Sequence, residues 1–265
     1  MGTLRLLCVG DIVGSLGRYA LSEHLRDIQR EYKVQFTVVN LENAASGFGV
    51  TPKVYAELEA LPVQAFTSGN HIFDKKESIG VIDSFSKLVR PVNFPPGNPG
   101  VGYRLFTFNT IKIAVVNAIG RVFMHPYDCP FQAMDRIWPD LAPASVVVVD
   151  FHAEATSEKM AMGWYLDGRA SVVFGTHTHT MTADERILEK GTAFISDIGM
   201  TGSSEGVLGM ERGPILHRFL TQMPAKFSPP KTGYCQLNAI VVDVDSDTGK
   251  ALHIERVQKH FFKPG

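Results

Sequence analysis

Little in this sequence favours a disulfide-built or membrane-embedded protein. There are only three cysteines, Cys8, Cys129 and Cys235. The number is odd and none is spaced C-x-x-C, which argues against a disulfide framework and against a zinc–thiolate centre. No stretch approaches the ~18 to 20 consecutive apolar residues that a membrane-spanning helix needs. At the N-terminus the apolar run is broken by Arg5 and stops at Gly10-Asp11, too soon for a secretory signal core, so a cytoplasmic location is expected. Neither charge is in excess: 26 Lys and Arg balance 27 Asp and Glu. No global field therefore draws the chain to nucleic acid or to an anionic membrane, and a negatively charged substrate has to be recognised locally. Internal repeats and low-complexity tracts are absent as well.

What is present is enough for one large core. With 265 residues and 45% hydrophobic side chains, the chain is expected to form a single domain over 1–265. The first part alternates strand and helix patterns. Residues 4–9 read as a strand, and Leu21, Leu25, Ile28 and Tyr32 follow at helical spacing. Residues 36–41 and 64–68 are the next strands, with a helix between them that Thr51 caps and Pro52 opens. Ile79, Ile82 and Phe85 predict one more helix. A loop rich in Pro and Gly at 93–100 forbids regular structure but is too short to separate domains. Beyond it strands dominate. Runs at 103–108 and 111–117 are joined by Asn109-Thr110, a hairpin, and further strands fall at 145–151, 171–174, 192–196, 237–244 and 251–257, with a helical stretch at 156–166. The expected fold is α/β, two packed mixed β-sheets flanked by helices. Residues 199–230, rich in Gly and Pro with little apolar periodicity, read as a lid or an assembly surface.

The polar residues fall in a pattern. Asp11 follows the strand 4–9, Glu42 and Asn43 follow 36–41, and Asn70 and His71 follow 64–68. His152 follows 145–151, and His177 and His179 follow 171–174. Ligand sites in α/β sheets form outside the carboxyl ends of strands, so five segments are expected to converge on one crevice. Taken singly, each residue has an ordinary reading as a cap, a polar loop or a surface histidine. Together, carboxylate, amide oxygen and imidazole without thiolate suit divalent metals such as manganese, iron or zinc. A carboxylate, Glu42 or Asp11, can bridge two cations, and a pair of metals ~3.5 to 4 Å apart is a common phosphoesterase device. His177 and His179, two apart in a strand-like segment, would turn both rings to one side. Cys8 reads as a core residue. His24, His253 and His260 lie away from the crevice, while His125 sits in a loop that could line it. An amidohydrolase barrel is disfavoured because its His-x-His follows the first strand.

Gly10-Asp11, Ser68-Gly-Asn-His71, His152 and Gly175-Thr-His-Thr-His179 resemble, in order, the blocks of the calcineurin-like metallophosphoesterases. The chain departs from that pattern at Val13, where the wider family has a histidine, and at Leu41-Glu-Asn43, where it has a Gly-Asp block. Those departures, with Leu41-Glu-Asn-Ala-Ala-Ser-Gly47, Phe151-His-Ala-Glu154, Gly163-Trp-Tyr-Leu-Asp-Gly168, Thr182-Ala-Asp-Glu-Arg186 and Asp197-Ile-Gly-Met-Thr-Gly202, are similar to the YmdB-like branch. The resemblance implies a phosphodiesterase with two transition-metal ions, iron or manganese, acting on cyclic nucleotides, 2′,3′-cyclic ones above all. It also implies the ligand sets. Asp11, Asn43 and His179 would hold one metal, and Asn70, His152 and His177 the other, with Glu42 bridging. An in-line attack by hydroxide held on the metals would be completed by His71 as proton donor. The alternatives are a phosphomonoesterase on the same scaffold, or a regulatory nucleotide-binding protein with a structural metal site. A small phosphodiester is the expected partner, no membrane is, and a homo-oligomer and a link to RNA stay open.

Overall fold

The structure is a computed structural model and describes residues 2–265. The chain opens with strand β1 (Thr3–Val9), the two-residue β2 (Asp11–Ile12) and helix α1 (Gly14–Glu31). Strand β3 (Phe36–Asn40), α2 (Pro52–Glu59), β4 (Ala65–Thr67) and the single turn α3 (Lys76–Ile79) follow. The hairpin of β5 (Tyr103–Phe108) and β6 (Ile111–Ile119) leads through α4 (Pro130–Leu141) and β7 (Val146–His152) to α5 (Thr156–Tyr165) and β8 (Val172–Thr176). The remainder comprises β9 (Arg186–Ile187), β10 (Ala193–Ile195), β11 (Met200–Ser203), α6 (Arg212–Thr221) and a long hairpin of β12 (Gly233–Asp245) and β13 (Ala251–Lys263).

The strands form two mixed sheets. One has the order β2-β11-β12-β1-β3-β4 with β13 added to β12, and the other has the order β5-β6-β7-β8-β10-β9. The period-two alternation of the strands explains how they stack. Leu4, Leu6 and Cys8 of β1 point into the space between the sheets, where they meet Val115, Val148, Val172 and Phe174. Leu7 and Val9, one residue out of phase, face Leu21, Leu25 and Ile28 of α1 and Leu58 of α2. In the second sheet Val116, Val149 and Phe151 face Met134 of α4 and Met162 of α5. The result is helix, sheet, sheet, helix, with apolar side chains on both faces of each central strand, as buried parallel strands require. No helix among the described residues is long and apolar enough to cross a membrane.

Local sequence accounts for the ends of the elements. Thr51 accepts the Val54 N–H at 3.2 Å ahead of Pro52, and Asn109, at φ +53°, supplies the left-handed residue of the β5–β6 turn. The helix expected across Ile79, Ile82 and Phe85 does not form as one unit. It stops at Gly80 after a single turn, and a separate tight turn at Ile82–Ser84 carries the chain on. Packing decides this: Ile82 and Phe85 go into the core, while Ile79 stays 40% exposed. Helix α4 is masked in the sequence by Pro139 inside it, yet Pro130 at its first turn and the buried Ala133, Met134 and Leu141 make it amphipathic. Residues 199–230 likewise contain regular structure, β11 and α6.

Strands β1, β3 and β4 run parallel to one another in the first sheet, and β6, β7, β8 and β10 do so in the second. The segments bearing the candidate ligands leave the carboxyl ends of β1, β3, β4, β7 and β8 at one edge of the molecule.

Candidate metal centre

His152, the last residue of β7, lies at the middle of the cluster. Its Nε2 is 2.7 Å from Glu42 Oε2, 3.0 Å from Asn70 Oδ1 and 3.0 Å from His177 Nδ1. Its Nδ1 is 3.8 Å from Asp11 Oδ1. Asn43 Nδ2 is 3.1 Å from His179 Nε2. The side chains of Asp11, Glu42 and His152 are fully buried, and their ligand atoms all lie within 4.8 Å of one another. Five of the seven residues expected to bind metal thus gather around His152, and the other two, Asn43 and His179, meet each other in the cleft that Glu42 and His177 also line. The eighth, His71, joins through its backbone N–H, which donates to Glu42 Oε1 at 3.2 Å.

The backbone is shaped for this approach. An ideal Cβ on Gly69 would sit 1.7 Å from Glu42 Oε2 and 2.3 Å from His152 Nε2, so only glycine lets the β4 loop pass beneath the cluster. The segment carrying His177 and His179 is not strand-like. Strand β8 ends at Thr176, and both histidines have positive φ, +96° and +62°. The two rings reach the cleft by left-handed turns rather than by strand alternation, a strained arrangement that its surroundings must hold in place. Asp197 does so. Its Oδ2 accepts the Thr178 N–H at 3.2 Å and the Thr178 hydroxyl at 2.7 Å, and Lys159, itself 2% exposed, donates to the same oxygen at 2.6 Å.

A second layer fixes the ligands. The Nδ1–H of His152 meets Thr176 Oγ1 at 2.9 Å, and Thr176 donates onward to Asp150 Oδ1 at 2.6 Å. That chain keeps the hydrogen on Nδ1 and turns Nε2 toward the cluster, as the nitrogen that would carry a proton or meet a cation there. Asp150 also accepts from Thr67 and Asn40, at 2.5 and 2.9 Å, and Asn40 Oδ1 accepts the Glu42 N–H at 3.0 Å. Asp150 thus ties β3, β4, β7 and β8 together directly below the cluster. His177 Nε2 meets Glu154 at 3.2 Å, and His71 Nδ1 meets Asp74 at 2.7 Å.

The donor set fits cations. One oxygen of each buried carboxylate is held by a backbone N–H, Glu42 Oε1 by His71 and Asp11 Oδ2 by His177 at 3.2 Å. The other oxygens, Asp11 Oδ1 and Glu42 Oε2, and the amide oxygen of Asn43 have no hydrogen-bond partner although buried. Glu42 Oε2 is in ion-pair contact with His152 Nε2. Three lone-pair-bearing atoms crowd that one nitrogen, which carries at most one hydrogen, so their mutual repulsion calls for a positive centre between them. Ligands at ~2.1 Å from an octahedral ion lie about 3 Å apart, the spacing observed. For Asn43, a half-turn of the amide brings its oxygen to the atom facing His179.

The electrostatics agree. Burial pushes the Asp11 carboxyl well above the usual carboxylate range, with Glu42 adding to the effect. Burial also acts to raise Glu42, but the adjacent His152 cation outweighs it and holds that carboxyl at about 2. Burial disfavours the His152 cation, yet Glu42 and Asp11 raise it to about 9. His177 is depressed to about 3 by burial and by the His152 charge, and His179 is lowered, chiefly by burial. The pair of imidazoles is therefore neutral and able to donate lone pairs.

Val13, which stands where the wider family has a histidine, is buried in an apolar cluster with Met200, Met210 and Ile215. It pairs with Asn43 across an isolated parallel bridge. His125 lines a small cleft with Asn70 and His177, as its loop suggested, and Cys8 is fully buried. Of the supporting residues, Glu154, Thr176 and Asp197 fall in the sequence blocks that carry the resemblance, though their roles are not legible there, and Asp150 does not stand out at all. Asp74 has a local signal, three residues after His71.

Comparison with known proteins places the chain. Residues 7–257 match the family model described as YmdB-like protein. The chain is similar to a 2′,3′-cyclic-nucleotide 2′-phosphodiesterase from Bacillus subtilis (strain 168), with 48% identity over 255 residues that cover 96% of each protein. Among solved structures it superposes on a novel phosphatase from Mycoplasma pneumoniae with TM-score 0.93 and 32% identity, over 100% of this chain and 96% of that one. A hypothetical protein from Thermus thermophilus gives TM-score 0.90 and 39% identity, over 98% and 100% of the two chains.

Proposed function

This chain belongs to the family of YmdB-like proteins, and from that premise we propose that it is a two-metal phosphodiesterase of cyclic nucleotides, 2′,3′-cyclic nucleotides foremost. Phosphoester hydrolysis is the activity that the family and the phosphatase-like fold have in common. One observation carries the finer reading: Glu42 Oε2, Asn70 Oδ1 and His177 Nδ1 crowd within 3.0 Å of the buried His152 Nε2, and Glu42 Oε2 and Asp11 Oδ1 are buried without a hydrogen bond.

In this reading Asn70, His152 and His177 would hold one ion and Asp11, Asn43 and His179 the other, with Glu42 a ligand available to both. Iron and manganese suit this mixture of oxygen and imidazole nitrogen. Bound there, a pair of cations supplies Lewis acidity, lowering the pKa of water and neutralising phosphoryl charge. The chain's own residues do the rest. Asp150, through Thr176, keeps His152 in one tautomer and so keeps Nε2 directed at the centre. Asp74 takes Nδ1 of His71, which leaves Nε2 as the nitrogen that passes a proton to the departing ester oxygen. Asn43 supplies an amide oxygen in place of an imidazole, and its bridge to Val13 explains how a residue on the β3 loop reaches that place. The unit that carries the activity is the whole chain, 1–265, as one metallophosphoesterase domain.

The test is hydrolysis of 2′,3′-cyclic AMP by metal-stripped protein and by protein reloaded with manganese or iron(II), with a phosphomonoester in parallel. Turnover of the cyclic diester only after reloading is expected. Hydrolysis of the monoester alone assigns a phosphomonoesterase. No turnover of either substrate with metal bound, together with nucleotide binding that His71→Ala leaves intact, assigns a nucleotide-binding protein with a structural metal site.

A further inference from the structure

A cleft of about 570 Å³ adjoins the metal centre, and its lining combines two chemistries. One part is polar: Glu42, Asn43, His71, His177 and His179. The other is an apolar wall of Phe48, Leu208, Met210, Phe219 and Phe227, with one cation, Arg218. That volume lies in the range of about 300 to 1,000 Å³ typical of small-ligand sites. The wall comes from three separate segments: the loop after β3, the loop between β11 and α6, and α6 with the strand-free stretch behind it. Phe48 stands edge-on to His71, ring centroids 5.1 Å apart. The guanidinium of Arg218 lies 5.4 Å from the Phe227 ring centroid and has no ion-pair partner among the described residues. Phe219, in the same helix turn, is 73% exposed.

We propose that this wall, Phe48, Phe219 and Phe227 with the Arg218 guanidinium, is the subsite that stacks the nucleobase of the substrate. The inference rests on the phosphodiesterase reading above and adds which part of the molecule holds the nucleoside. His71, assigned there as the donor to the departing oxygen, lines this cleft. In a 2′,3′-cyclic nucleotide the departing oxygen and the retained ester oxygen belong to one ribose, so the nucleoside must lie on the His71 side. Aromatic rings and a guanidinium plane accept any base by its face. Beyond the metal-site residues, the polar side chains of the lining are Thr178 and Glu154, already engaged by Asp197 and His177, and Arg218, whose guanidinium lies over Phe227. The subsite therefore binds bases without choosing sharply among them. A smaller cleft on the other flank, with Phe123 88% exposed beside Asn70 and His125, is the rival location and does not include His71.

The experiment compares kcat/KM of the manganese-loaded protein for the four 2′,3′-cyclic nucleotides with that for methyl riboside 2′,3′-cyclic phosphate, the same diester without a base. The wild type is expected to favour nucleotides about ten- to hundredfold, mainly through KM, with the four bases within about fivefold of one another. Phe227→Ala and Arg218→Ala shrink that ratio toward one, and Phe227→Trp retains it. Arg218 is exposed, so its variant keeps the test valid if Phe227→Ala folds poorly. Equal turnover of both diesters by the wild type overturns the subsite alone. So does a ratio undiminished in both variants, or one lost in Phe123→Ala instead. Absence of turnover on either diester contradicts the phosphodiesterase reading, and the subsite falls with it.

Discussion

Gly69→Ala removes no ligand and no charge, yet it should dismantle the centre. The added carbon would sit 1.7 Å from Glu42 Oε2 and 2.3 Å from His152 Nε2, whereas Cβ contacts under 3.0 Å essentially never occur. The carboxylate must therefore withdraw by about 1.3 Å, several times the ~0.2 Å tolerance of metal–ligand distances. A misplacement of about 1 Å near reacting groups can cost about hundredfold in rate. The expected result is a fall in kcat/KM of about hundredfold or more, with metal content dropping from two ions per chain to one or none. The fold should survive, because the clash is with side-chain ends: overpacking of this kind costs about 1 to 3 kcal/mol. For a chain of this size the metal-free forms should then melt within about 10 °C of each other. The assay is elemental analysis after dialysis, with steady-state rates and thermal melts of the same samples. Two ions per chain and unimpaired turnover in the folded variant would refute the placement of the centre at Glu42 and His152.

Further outcomes follow from the supporting residues. Asp74→Asn, which leaves every proposed ligand intact, should lower kcat about ten- to hundredfold with metal content unchanged, read from rates and elemental analysis together. Asp150→Leu should weaken metal affinity about ten- to hundredfold, measured by competition with a chelator, because the Thr176 relay loses its acceptor. Leu6→Ala, between the two sheets and fully buried, should cost about 2 to 5 kcal/mol in denaturant unfolding.

Much of this was legible in the sequence because strand ends announce themselves. The apolar runs ending at Val9, Asn40, Thr67, His152 and Thr176 fixed where polar residues could gather, and the parallel strands brought those ends to one edge. The halves differed in legibility. Helix α1 shows its period openly, whereas α4 is hidden by an internal proline and α6 exposes Phe219 and Leu220 rather than burying a regular stripe. The path of the His-x-His segment departs from the strand-like expectation for a physical reason: two left-handed residues are unfavourable locally and persist because Asp197, itself held by Lys159, grips Thr178 between them from elsewhere in the chain. The same holds for Asp150 and Thr176. Each reads as an ordinary strand residue until four strands place them under one histidine.

Anomalous diffraction from crystals grown with manganese tests the central claim most directly. Two peaks per chain are predicted, one in contact with His152 Nε2, His177 Nδ1 and Asn70, the other with His179 Nε2 and Asp11, and both in contact with Glu42. A loaded crystal with no peak at these residues, or with its metal bound away from Glu42, would contradict the account.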